Sequence, residues 1–184
     1  FSFRSPYSYI ASEMLRSLVP EYGLELVLKP VLPMVMRGIP VAHLKKKVLL
    51  YDALREAVHL QIPMGRISDP LGRGVKNALG VTCALEDSRA SISFMHNAFR
   101  AIWAEGLEIA NQKTLLSVAQ RSSITPEMLK NALKVSPWVD TVEKNRLEMR
   151  ALGLWGVPCF QLGDLVTWGQ DRIWLLRHLL DQAA

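Results

Sequence analysis

Residues 1–11 read Phe1-Ser2-Phe3-Arg4-Ser5-Pro6-Tyr7-Ser8-Tyr9-Ile10-Ala11, and the fold turns on the four residues from Ser5 to Ser8. The apolar start, Phe1-Ser2-Phe3, reads as the end of a strand. It is short against the ~5–6 residues usual for one, so residues preceding Phe1 are expected. Pro6 sits early in a helix, where its missing N–H costs nothing. Tyr7, Ile10, Met14, Leu15 and Leu18 then recur at helical spacing, and Gly23 ends the unit. Leu24 to Val31 (LELVLKPV) reads as a second strand with Leu24, Leu26 and Leu28 on one face. A β-α-β opening implies parallel strands joined by a right-handed crossover.

Working outward, Pro33, Gly38 and Pro40 mark a loop, and Ala42 to Leu60 reads as a helix. Its first turn carries Lys45-Lys46-Lys47, which opposes the helix dipole and suits an anion nearby. Ile62 to Gly74 is broken by Pro and Gly and must be loop. Helices follow at Val75–Leu85, Ser88–Gly106, Asn111–Ser122, Thr125–Val135 and from Pro137 to about Leu152, with no strand signal among them. The period then changes. Val157–Leu162 is a strand, Gly163-Asp164 a turn and Leu165–Trp168 the hairpin partner. Gly169-Gln170-Asp171-Arg172 opens a last helix with Ile173, Leu176, Leu179 and Leu180 facing the core. The order β-α-β, helices, β-β-α predicts an α/β, thioredoxin-like fold with a large all-helical insertion. Residues 1–62 and 153–184 form the thioredoxin-like part and 63–152 the insertion.

The 184 residues are 49% apolar, enough for a full core without disulfide staples. No apolar run approaches the ~18 residues of a membrane span, and no signal peptide is visible. The net charge of +5 suits either nucleic acid or anionic small molecules. Scattered basic residues without interleaved aromatics favour a basic enzyme and argue against nucleic acid. Cys83 and Cys159, distant in sequence, read as free thiols in a reducing compartment, so a cytoplasmic location is expected. His43, His59, His96 and His178 stand apart, and no metal site is expected.

SPYSYIA at the first helix, GVP before the hairpin and WGQDR at the last helix together resemble the glutathione-dependent branch of the DsbA-like proteins. That branch holds the 2-hydroxychromene-2-carboxylate isomerases and the kappa-class glutathione transferases. The resemblance runs along nearly the whole chain. It implies glutathione as cofactor and a small aromatic or electrophilic substrate. Dimers being usual in the family, it also implies a homodimer.

Where thioredoxin-like proteins carry Cys-x-x-Cys, this chain has Ser5 and Ser8. In the resembling family the serine matching Ser5 contacts the sulfur of glutathione. An ordinary thiol, with a pKa near 8.5, is mostly protonated at neutral pH. Lowering that pKa by two units takes about 2.7 kcal/mol. A helix N-terminus supplies roughly 0.3–1, at most ~2, and a hydrogen bond to a charged group roughly 1.5–3. Ser5 and its helix therefore suffice, and Ser5 is the candidate catalytic residue. The bland alternative is that Ser5 only caps the helix. Ser8 either joins it or points into the helix. Pro6 and Tyr7, in the same motif, are carried over as cofactor-binding positions.

Gly156-Val157-Pro158 resembles the cis-proline motif of thioredoxin-like folds. A cis bond there would turn the Val157 backbone outward to pair with an extended peptide, so Val157 and Pro158 would bind the cysteinyl backbone of glutathione. An ordinary trans bond is the alternative. Cys159 follows, read as a buried strand residue in preference to a reactive thiol. Gln170 and Asp171 suit the γ-glutamyl end, the amide taking the carboxylate and Asp171 the ammonium. The alternative is that Asp171 only favours its own helix dipole. Arg172 reads as structural, or as a partner to Asp171. The chain departs from the family in MRGIPVAHLKKK, which lacks the asparagine often found there. Arg37 stands nearby, and the family lysine aligns best with Lys46, one residue from Lys45 and Lys47, the alternative being a solvated lysine run. Arg37 and Lys46 are candidate anion contacts.

Three functions compete. The first is a glutathione-dependent isomerase, in which a bound thiolate adds transiently to a conjugated aromatic acid. The second is a kappa-like transferase or peroxidase, and the third a non-catalytic thioredoxin-like binding module. Disulfide oxidoreduction is disfavoured, since a dithiol mechanism needs two nearby cysteines.

Overall fold

A computed structural model describes residues 1–134 and 138–183 of the chain. Ser5 caps α1 (Pro6–Glu21): its Oγ accepts a hydrogen bond from the Ser8 N–H at 3.2 Å, with Pro6 at the first helical position. Then come α2 (His43–His59), α3 (Arg73–Ala84), α4 (Ser88–Trp103), α5 (Gln112–Arg121), α6 (Pro126–Lys134) and α7 (Trp138–Ala151). The hairpin β1 (Cys159–Leu162) and β2 (Leu165–Trp168) precedes a short 3₁₀ turn, Gln170–Arg172, and α8 (Ile173–Ala183). The expected helix ends at Val135 and Pro137 lie outside the described residues.

The two strands expected at the start are a correction. Phe1–Phe3 and Leu24–Val31 do not form regular strands, and among the described residues the sheet has two strands. What survives is their pairing. The Phe1 amine donates to Lys29 O at 3.0 Å and the Val31 N–H donates to Phe1 O at 2.8 Å, the pattern of a parallel pair around Pro30. Pro30 has no N–H to extend a ladder. The hairpin is antiparallel, in the register Cys159↔Trp168 to Leu162↔Leu165. Gly163 turns it with a φ of +56°, open to glycine without strain. The last expected helix begins one turn late, because Gln170–Arg172 form the 3₁₀ turn.

The core is centred on α4, which packs against α1, α3 and α5. Its Phe94, Phe99 and Ile102 are wholly buried. Phe99 meets Phe3 at a ring-centroid distance of 5.1 Å and Tyr9 at 6.3 Å, and the Trp103 indole N–H donates to Phe3 O at 3.1 Å. Residues of both chain parts, Phe3, Tyr9 and Ile10 with Val75, Phe94 and Val118, thus share one cluster. Each fully buried side chain of this size contributes roughly 1.5–3 kcal/mol. The opposite side is looser. A cavity of about 640 Å³ lies between the extended segment at 24–31 and β1. Most of α2 is solvated: it buries Ala53 and Ala57 and leaves Leu44, Val48, Tyr51 and Val58 exposed. No helix among the described residues is long and apolar enough to cross a membrane.

Candidate active site at the start of α1

The cap that starts α1 also starts the site. Ser5 Oγ, while accepting from the Ser8 N–H, donates to the Val157 carbonyl at 3.5 Å, across 152 positions of sequence. The Val157–Pro158 bond is cis. Pro158 O in turn accepts from the Gly169 N–H at 2.9 Å, which holds the 3₁₀ turn against the proline. Within that turn Gln170 is buried and its side-chain amide donates to Glu56 on α2 at 3.1 Å. One helical turn earlier on α2, Asp52 accepts from the Tyr7 hydroxyl at 2.6 Å. Tyr7 follows Pro6 at the start of α1, so hydrogen bonds close a ring: Ser5, Val157, Pro158, Gly169, Gln170, Glu56, Asp52, Tyr7.

The ring has a charge pattern. The Tyr7 phenol is pushed far above its ordinary pKa, first by burial, then by its bond to Asp52 and the nearby charges of Asp52, Glu56 and Asp171. It stays protonated and remains a donor. Asp171 is paired with Arg172 at 2.6 Å, with both side chains about half exposed. This side of the ring is therefore acidic. Beyond Ser5, Arg4 makes two 2.7 Å bonds to Asp69, and the charge of Lys46 is felt at Asp69. Arg4 holds the Asp69 carboxyl below its ordinary pKa, chiefly by hydrogen bonding.

With that geometry in place, residues 1–181 match the DSBA-like thioredoxin domain. The chain belongs to that family. Among curated proteins, a 2-hydroxychromene-2-carboxylate isomerase of Sphingobium xenophagum is 23% identical over 98% of this chain and 96% of its own length. One of Pseudomonas putida is 22% identical over 98% and 91%. The DSBA-like fold recurs in a solved 2-hydroxychromene-2-carboxylate isomerase with a TM-score of 0.77 at 19% identity, covering 100% of this chain and 93% of that one. The cytosolic disulfide reductase DsbM of Pseudomonas aeruginosa gives 0.68 at 18%, covering 99% and 97%.

Against that family frame the sequence-derived positions divide. Ser5, Pro6, Tyr7, Val157, Pro158, Gln170 and Asp171 come together at one end of α1. Ser8 does not join them. It is buried, and its Oγ accepts from the Ser2 N–H at 3.3 Å, so it faces the interior. Cys159 lies in β1 with its thiol bonded to Gly156 O and its pKa raised by burial. Lys46 is exposed on the Arg4–Asp69 side. Arg37 faces away, toward α7. Burial, then Arg146 and Arg150, lowers its pKa, and its buried Nε has no hydrogen-bond partner.

Asp52 and Glu56 were missed by sequence reasoning. Their spacing of four on a correctly read helix puts both carboxylates on one face. Nothing local tells that this face meets Tyr7 and Gln170.

Proposed function

We propose that the chain is a glutathione-dependent isomerase of the 2-hydroxychromene-2-carboxylate isomerase type. Ser5 would hold the thiolate of bound glutathione, a transient nucleophile toward a conjugated aromatic acid. The observation that carries this reading is the double bonding of Ser5 Oγ. Its lone pair is committed to the Ser8 N–H, while its proton goes to Val157 O at 3.5 Å, the outer limit of a hydrogen bond. Turning that proton to a thiolate exchanges a weak bond for a charge-assisted one. The cap, and with it the helix end that favours the anion, is undisturbed.

The rest of the ring suits the rest of the tripeptide. The Val157 backbone and Pro158 receive the cysteinyl part in extended pairing. Gln170 and Asp171 receive the γ-glutamyl end, whose ammonium suits the acidic side made by Asp52, Glu56 and Asp171. Lys46, whose charge reaches Asp69 beside Arg4, suits the glycyl carboxylate or the acid substrate. The isomerase reading leans on the relatives' activity. The DsbM likeness is one of fold, and the two thiols here lie in α3 and β1 while serines hold both positions at α1.

The test is titration calorimetry with reduced glutathione at pH 6.5 and pH 8, for the parent and Ser5→Ala. The parent binds in the micromolar-to-millimolar range and releases a proton near neutral pH. Ser5→Ala binds with that release lost. Absence of binding at millimolar glutathione would overturn the reading.

A further inference from the structure

Two tryptophans near the ring are open to solvent. Trp155 is 58% exposed and Trp168 51%, although a ring of that size is usually well buried. They come from different segments and lie together, with ring centroids 5.9 Å apart and planes at 31°. Each precedes a site segment by two residues: Trp155 precedes Val157, and Trp168 precedes Gln170. The backbone makes room for the arrangement. A side chain at Gly156 would place its Cβ 2.9 Å from the Trp168 indole nitrogen, so glycine there lets the indole lie against the chain beside Val157. On the next residues the Gly169 N–H is bonded to Pro158 O, so the two indoles are carried by segments that run directly into the ring.

The large cavity is a competing place for a ring-shaped substrate: Val157 and Pro158 line it together with Ser8, whereas Ser5, Tyr7 and Gln170 do not. The indole pair is at the surface, Trp155 in the segment that leads to Val157 and Trp168 at the end of β2 before Gln170. Planar π-systems gain from offset or tilted stacking on an aromatic face beyond the area they bury.

We propose that Trp155 and Trp168 form an open aromatic shelf that takes the planar ring of the acid substrate and orients it toward the sulfur held at Ser5. This rests on the glutathione reading for its purpose, while the shelf itself is a binding site with its own test. The two indoles are positioning residues that set preference for flat aromatic acids over saturated ones.

The experiment is calorimetric binding of 2-naphthoate and of cyclohexanecarboxylate, with and without saturating glutathione. The proteins are the parent, Trp155→Ala, Trp168→Ala, the double variant, and Trp155→Phe/Trp168→Phe. Far-ultraviolet circular dichroism checks each fold. The parent prefers naphthoate by tenfold or more. Each alanine variant weakens naphthoate by roughly 3- to 10-fold, the phenylalanine pair recovers most of it, and cyclohexanecarboxylate changes by less than twofold throughout. Glutathione affinity stays within twofold in every variant. Naphthoate bound equally well by a folded double variant, or no naphthoate preference in the parent, overturns the shelf. Tryptophan-dependent naphthoate binding in a protein that fails to bind glutathione keeps the shelf and removes the thiolate reading.

Discussion

The two halves of this molecule are built to different tolerances. Around α4, Phe94, Phe99 and Ile102 have no accessible surface and the rings of Phe3, Tyr9 and Phe99 touch in series. Around the hairpin, two four-residue strands stand beside a cavity of about 640 Å³, with no third strand paired to them among the described residues. The site lies between them, with Ser5 on the helical side and Val157 on the hairpin side. Tight packing holds the cap of α1 in place. The looser half supplies backbone carbonyls and exposed rings that a ligand can use.

The sharpest way to break that contrast is a pair of truncations. Phe99→Ala, in the packed half, lowers stability by about 3–5 kcal/mol. Phe160→Ala, half buried on the cavity wall, costs about 1–2 kcal/mol, since less surface returns to water. Urea denaturation measures both, and equal losses would erase the distinction.

A pH series probes the packed half next. His96, on α4, has a buried, unpartnered Nδ1. Its pKa falls to about 4, through burial first and then the charge of Arg16, with Arg100 adding and Glu13 opposing. Between about 4 and the ordinary value near 6.5 the unfolded chain binds a proton that the folded chain refuses, so stability rises with pH across this window. The stability is complete above 6.5 and is lost as pH falls toward 4. It amounts to about 1–3 kcal/mol. His96→Gln flattens that slope, as denaturation midpoints from pH 4 to 7 would show.

The border itself responds more gently. Ser5→Ala removes the α1 cap and costs about 1 kcal/mol, a loss Ser5→Asn largely restores, since asparagine also caps. Thermal melts of the three proteins decide it, and a loss above 3 kcal/mol would mean Ser5 does more than cap. The smallest effect belongs to Arg4→Gln. Asp69 is about half exposed, so the pair contributes about 0–1 kcal/mol. Its share is present above the ordinary carboxyl range and disappears as pH falls through the lowered pKa of Asp69. Melts at pH 3 and pH 7 would show a smaller difference between parent and variant at the lower pH.

Much of this was readable along the chain. Helical spacing located α1 to α5, although α3 starts two residues ahead of its apolar pattern, at Arg73 behind Gly72. The turn at Gly163-Asp164 located the hairpin to within two residues, because turn chemistry is local. The parallel strands were over-read. Leu24 to Val31 has a strand's alternation, yet Pro30 has no N–H and the pairing at Phe1 stops after two bonds. At the site, Ser5, Tyr7, Val157, Pro158 and Gln170 converge as their motifs imply. Arg37 does not, because its loop turns toward α7 and nothing in MRGIPVAHLKKK encodes that direction.

The sequence by itself determined the helix cap at Ser5-Pro6, the serines at both positions of the first helix and the order of the helices and the hairpin. Each follows from backbone sterics and hydrogen bonding among residues a few positions apart. Tertiary structure alone decided that Ser5 reaches Val157 while Ser8 turns to Ser2, that Asp52 and Glu56 close the ring, and that Trp155 meets Trp168. Most of those contacts join residues far apart in the chain, and such contacts are set by how whole elements pack.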